Sequence, residues 1–214
     1  MDYLEHEFQN DNSISKSLHE ALVVISNKGV VGTTSAELFA AFWDNLLKKG
    51  GSPKKFGDDN IESLLEKVVK LVRYVSDKDL FAEFCRKYLA KRLLHDRGIN
   101  IDDEQKKLSK LKEPCGSSLI SKMERMVKDF VVSKEIQAEF NNSAYNDMKL
   151  MLDITILNAT DFPTCKSSNI YLPSNMVACL VEFLEFYSGR YEHHTLTWVY
   201  SLGLVTSSPN LTPQ

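Results

Sequence analysis

The chain has 214 residues and a mass of 24.4 kDa; 43% of its residues are hydrophobic, enough to bury a sizeable core in one or two domains. A formal charge of -3 and a pI near 6.0 exclude a globally basic nucleic-acid binder, so any cationic site is local. The four cysteines, Cys85, Cys115, Cys165 and Cys179, include no CxxC pair, which gives no zinc cluster and no disulfide framework and fits a reducing compartment. The opening MDYLEHEFQND is acidic, without the basic and apolar regions of a secretory leader, and no apolar run is long enough for a bilayer. The expectation is a protein of cytoplasm or nucleus, in which the Asn-x-Ser/Thr matches at Asn141, Asn158 and Asn210 stay unglycosylated.

Helical periodicity dominates the first two thirds. Ile14, Leu18, Ala21, Leu22 and Ile25 predict a helix from Ser13 to Asn27, closed by Gly29 and Gly32. The capping box Thr34 to Glu37 opens a second helix that runs to Lys49, with Leu38, Phe39, Phe42, Trp43, Leu46 and Leu47 inward. Gly50 to Asn60 reads as a linker. From Ile61 to Val75 an apolar stripe faces Glu62, Glu66, Lys70 and Arg73, with Glu66 and Lys70 a favourable i,i+4 pair. The segment SDKDLFAEFCRKYLAKRLLHDR, Ser76 to Arg97, predicts one long helix capped at Ser76 and stopped by Gly98. Its apolar residues cover more than half its circumference, so it packs against several neighbours. Two further helices follow, near Asp102 to Lys112 and Ser118 to Glu139, with Pro114, Cys115 and Gly116 between them.

After Asn146 the pattern changes. The partial alternation and β-branched residues of Leu150 to Leu157 predict a strand, Ser174 to Gly189 a helix, and Leu196 to Leu202 a second strand. From Ser207 onward a tail with two prolines is expected to fray. The fold class is therefore mainly α: a helical bundle followed by a small, incomplete α/β element. Two strands and one helix are too few to stand alone.

DKDLFAEFCRKYLAKRLLHDR closely resembles the cullin family, the elongated scaffolds of RING-type ubiquitin ligases, with the SCF-type members nearest. The likeness continues in family order through TSAELFAAFWDNLLKKGG, LEKVVKLVRYVS, SKMERMVKDF, YLPSNM and LTWVYSLG, which span nearly the whole chain. It implies four regions: the end of a helical stalk of cullin repeats at 1–50, a four-helix bundle at 51–149, a partial α/β region at 150–206, and the tail at 207–214. By the same resemblance the adaptor-binding repeat and the segment with the lysine that accepts a ubiquitin-like modifier lie outside this sequence.

The resemblance implies a non-catalytic scaffold of ubiquitin-dependent protein catabolism that needs no cofactor or metal and binds neither nucleic acid nor membrane. Its expected partners are a RING-box protein and a ubiquitin-conjugating enzyme; the alternative is a cullin-like remnant or competitor that binds one partner without assembling a ligase. Arg86, Lys87, Lys91 and Arg92 form the first candidate site, a basic cluster that the family likeness assigns to the acidic tail of a conjugating enzyme. The plainer reading is a solvated helix end matched to its dipole, with Arg92, which falls in the apolar arc, paired inside the bundle. The second candidate is strand addition by the RING subunit, with Met151, Ile154, Ile156, Trp198 and Tyr200 as side-chain contributors or simply as core. A thiol hydrolase built on Cys165 with His193 and His194 lacks a surrounding signature, acid and oxyanion element.

Overall fold

A computed structural model describes residues 12–30, 32–48, 61–96, 98–143, 152–163 and 170–203. Among them are seven α-helices: α1 Asn12–Ser26, α2 Ser35–Leu47, α3 Ile61–Val72, α4 Lys78–His95, α5 Ile101–Cys115, α6 Ser117–Asn141 and α7 Ser174–Arg190. The predicted ends are close to those observed, and two of the differences have a local cause. The N-cap of α4 is Asp77 rather than Ser76, because the Asp77 carboxylate accepts from the Leu80 amide at 2.9 Å. The last turn of α5 carries Pro114, where a break was expected. The helix continues to Cys115 and stops at Gly116, whose φ of 91° and ψ of 145° suit glycine. Thr34 caps α2 as predicted, its hydroxyl accepting from the Glu37 amide.

The helices from α2 to α6 enclose one core. The apolar faces of α2, α4 and α6 meet through Trp43, Leu46, Phe81, Leu89, Met123, Met126 and Val127, and α3 and α5 close the side with Val68, Val72, Leu108 and Leu111. Aliphatic and aromatic side chains at three- and four-residue spacing fill this interior, which is what an amphipathic sequence gains by bundling. Asn27 joins α1 to the α3–α4 turn: its side chain donates to the Tyr74 carbonyl at 2.8 Å and accepts from the Ser76 amide at 2.8 Å. A smaller core lies at the far end of α6, where Ile136 and Phe140 meet Phe183 and Tyr187 of α7 together with Ile154.

The described residues contain no β-strand, which corrects the two strands predicted. Residues 152–158 form neither helix nor strand; alternate residues bond to one helix, the pattern of an extended chain, and none pairs with a second strand among the described residues, while Tyr200–Leu202 forms a short 3-10 turn. Alternation reports an extended chain with one face inward; it does not supply the neighbour that makes a ladder. Leu150 and Met151 of the first predicted strand lie outside the described residues.

Candidate partner-binding site

Two surfaces meet on α6. The first is cationic and is shared with α4, whose Arg86 and Lys87 stand one turn after Glu83. Arg86 grips Glu83 through Nε at 3.0 Å and Nη2 at 2.8 Å, and its Nη1 donates to the Asp161 carbonyl at 2.7 Å. On α6, Arg125 holds the Asp161 carboxylate from Nε at 2.8 Å and Nη2 at 2.6 Å. The bond from Arg125 keeps the Asp161 carboxyl below its ordinary 3.8, and that from Arg86 likewise lowers Glu83. These two arginines and two carboxylates balance in charge. What remains is Lys87, half exposed and only 3.9 Å from Glu83, the exposed Lys91, and Lys122 on α6, whose charge acts on both Glu83 and Asp161.

Arg92 does not belong to that open surface, which corrects its grouping with the exposed cluster. It is 6% exposed and bridges α2 and α5: Nη1 donates to Asp44, while Nε and Nη2 donate to Glu104 at 3.2 and 2.8 Å. Burial opposes its charge, yet Glu104 and Asp44 more than offset that opposition and the guanidinium is held more firmly protonated than usual. The apolar arc on which Arg92 sits carried this signal. Lys122 and Arg125 were missed because they lie about 35 residues downstream and only the packing of α6 on α4 brings them beside the cluster.

The second surface is the extended segment. Its backbone is held by a row of polar side chains on α6, four residues apart. The Asp129 carboxylate accepts from the Asn158 amide, Ser133 Oγ from the Ile156 amide at 2.6 Å, and Gln137 Oε1 from the Ile154 amide at 2.8 Å, while Gln137 Nε2 donates to the Leu152 carbonyl at 2.7 Å. Four helical residues rise about 6.0 Å and two extended residues about 6.6 Å, so the row and the segment stay in step while running in opposite directions. Asp129 carries a cost: its Oδ2 is buried without a partner, and burial, reinforced by the Asp161 charge, raises its pKa. The row could have been found in the sequence as polar residues at i, i+4 and i+8 on a helix whose neighbours Met126, Phe130 and Ile136 are core.

Of the side chains named for strand recognition, Ile154, Ile156 and Trp198 face inward. Ile154 is buried, Ile156 and Trp198 pack against the smaller core, and Trp198 lies 6.1 Å from the Phe183 ring. Tyr200 opens the 3-10 turn and Met151 is outside the described residues. Alternation turns the backbone of Asp153, Thr155 and Leu157 away from α6, and these N–H and C=O groups have no hydrogen-bond partner among the described residues. Of the thiol-enzyme candidates, Cys165 lies outside the described residues. His193 is exposed, and His194 stacks on Tyr191 and shares a 2.9 Å hydrogen bond with the Tyr187 hydroxyl. No group of His, Cys, Asp and Glu that could hold a metal occurs among the described residues, and no helix there is long and apolar enough to cross a membrane.

Residues 1–137 match the family model described as the Cullin alpha solenoid domain. Cullin-1 of Oryza sativa subsp. japonica is 49% identical over 205 residues, which cover 94% of this chain and 27% of that protein. Cullin-2 of Arabidopsis thaliana is 42% identical over 95% of the chain and 28% of its own length, and Cullin-4A of Mus musculus is 34% identical over 92% and 26%. The chain thus spans about a quarter of the length of these relatives.

Proposed function

The chain belongs to the cullin family, and from that premise we propose that it is a non-catalytic scaffold segment of RING-type ubiquitin ligases, holding a RING subunit and gathering a ubiquitin-conjugating enzyme. The observation that carries this reading is the outward edge of residues 153–157. A row of backbone donors and acceptors without partners among the described residues, on an already extended chain, is what an added strand recognises, and main-chain bonds supply the affinity. The contacts then reside in the backbone of Asp153, Thr155 and Leu157, while Ile154, Ile156 and Trp198 brace the segment from within.

The lysines of the α4–α6 face support the second contact. Lys87, Lys91 and Lys122 leave a local positive excess on a chain of net charge -3, suited to attracting an acidic tail. Such a scaffold acts through effective concentration: two partners held on one rigid body meet more often than free ones.

Co-expression of the full chain with a RING subunit tests the first contact. The two should co-purify, and Thr155→Pro, which removes an edge donor that serves no internal bond, should abolish the association. Failure of the wild-type chain to associate overturns the reading. Binding of the RING subunit with no recruitment of a conjugating enzyme would assign the chain to the single-partner alternative.

A further inference from the structure

The segment that offers the edge has its backbone hydrogen bonds to α6, and residues 152–158 pair with no strand among the described residues. An isolated extended chain samples many conformations, and only a fraction of them would present an edge. We propose that Ser133 and Gln137 are positioning residues for strand addition: with Asp129 they form a template that fixes the register of residues 152–158 before a partner arrives, and so raise the affinity for it. This inference rests on the strand-addition reading above.

Three observations carry it. The template is matched to the chain in repeat and direction, each successive turn of α6 serving alternate residues of the segment. It is built into the interior, Ser133 being 1% and Gln137 8% exposed, where a polar group is retained at a cost unless it is bonded. It also consumes only one backbone edge: the hydrogen bonds from α6 to the backbone of the segment go to residues 152, 154, 156 and 158, while Lys134 meets Asp153 only at its carboxylate, 3.5 Å away, so among the described residues the other edge keeps its backbone groups for the incoming strand. The occupant that matches such an edge is an extended polypeptide whose own alternate N–H and C=O groups face Asp153, Thr155 and Leu157; in this reading it is a strand of the RING subunit. If the segment is competent only while extended, apparent affinity scales with the fraction of time it is so.

Amide hydrogen exchange on the full chain, combined with titration of a RING subunit, tests the proposal. In the free wild type the amides of Ile154, Ile156 and Asn158 should exchange slowly and those of Asp153, Thr155 and Leu157 fast. Ser133→Ala should release Ile156 and weaken RING binding about fivefold, the worth of one hydrogen bond, and Gln137→Met, which removes two, should release Ile154 and weaken it about thirtyfold, while amides of α2 and α4 keep their protection. Gln137→Glu retains the acceptor for Ile154 and should protect that amide better than Gln137→Met does. Unprotected Ile154 and Ile156 in the wild type overturn the template, as does unchanged affinity in variants that have lost the protection. A wild-type chain that shows the exchange pattern and binds no RING subunit instead refutes the docking reading, and with it the template's part in docking.

Discussion

The buried charge cluster at the centre of the bundle gives the sharpest test of how the fold is held. Arg92 pairs with both Asp44 and Glu104, and all three are nearly inaccessible, at 6%, 2% and 3% exposure. In Arg92→Met the methylene stem is largely replaced while the guanidinium is lost. Lys48 still reaches the second Asp44 oxygen at 2.6 Å, so Asp44 keeps one cationic partner. Glu104 keeps none among the described residues, because both of its side-chain bonds come from Arg92. Removing one side of a buried pair costs about 3–5 kcal/mol, a large share of the roughly 5–15 kcal/mol by which domains of this kind are stable.

Urea unfolding of wild type and variant, followed by far-UV circular dichroism, reads the difference directly. The midpoint should fall with little change in slope. Replacing the stranded carboxyl by an amide, in Arg92→Met combined with Glu104→Gln, should recover part of the loss. Proton uptake discriminates this account from simple loss of packing. The folded variant gains from protonating a buried, unpaired carboxyl, so its stability falls as pH rises and its deficit against wild type shrinks between pH 7 and pH 5. A deficit below about 1 kcal/mol at pH 7, where 3–5 is expected, or one that does not change with pH, would refute the reasoning.

Other consequences are equally concrete. Charge reversal at Lys87 and Lys91 should weaken capture of an acidic tail, with a loss that fades as salt is raised, and leave the unfolding midpoint in place; affinity that stays the same across the salt series removes the cationic site. Asp161 is held below its ordinary 3.8, so its contribution to stability is present above that value and is lost as pH falls through the lowered one; acid titration should release the 158–163 turn before the helices melt, whereas Asp161→Asn should show no such early step. Gly116→Ala should cost about 1–3 kcal/mol through backbone strain alone, since φ is +91° and no atom lies within 4 Å of the added methyl; an unchanged melting curve would show that the helix junction relaxes. Burial pushes the Cys85 thiol far up and Cys115 up to about 11, so both should resist alkylation at pH 8 in the native chain and react on unfolding.

The helices were legible in the sequence because their information is local. Four-residue spacing in Ile61 to Val75 and the Thr34 capping box need no knowledge of the rest of the chain, and both reappear in α3 and α2. Ser76 and Asp77 are both able to cap, so the choice between them required the geometry of the bond to Leu80. Pro114 was read as a break, yet in the last turn it forfeits a single intrahelical bond and its ring is buried in the bundle. What the sequence could not give was distance. The pairing of Arg92 with residues 48 positions before it and 12 after it, and the meeting of Arg125 with Asp161, are tertiary facts. The extended segment was recognised as extended but assigned the wrong neighbour, because its hydrogen bonds go to side chains of a helix and no pairing rule written for strands anticipates that.

α6 joins these findings. Its first half, through Met123, Met126, Val127 and Phe130, is a wall of the main core, and its last turns, through Ile136 and Phe140, are a wall of the smaller one. The polar row of Asp129, Ser133 and Gln137 runs from one half into the other. A 25-residue helix is about 37 Å long at 1.5 Å per residue, so a rigid body fixed by the bundle at one end sets the direction of the extended segment at the other. The lysines of the α4–α6 face and the outward backbone of residues 153–157 are both carried beside this one helix. A substitution that loosens α6 between Phe130 and Ile136 should disturb the second core and the edge together while leaving α2 to α5 intact. Phe183→Ala, which empties a fully buried site facing Phe140, should expose the same division, costing about 3–5 kcal/mol in the stability of the smaller core. Site-resolved exchange would show it as lost protection confined to α7, the end of α6 and residues 152–158; a uniform loss across all helices would mean that the two cores fold as one unit and that the edge is not separately tunable.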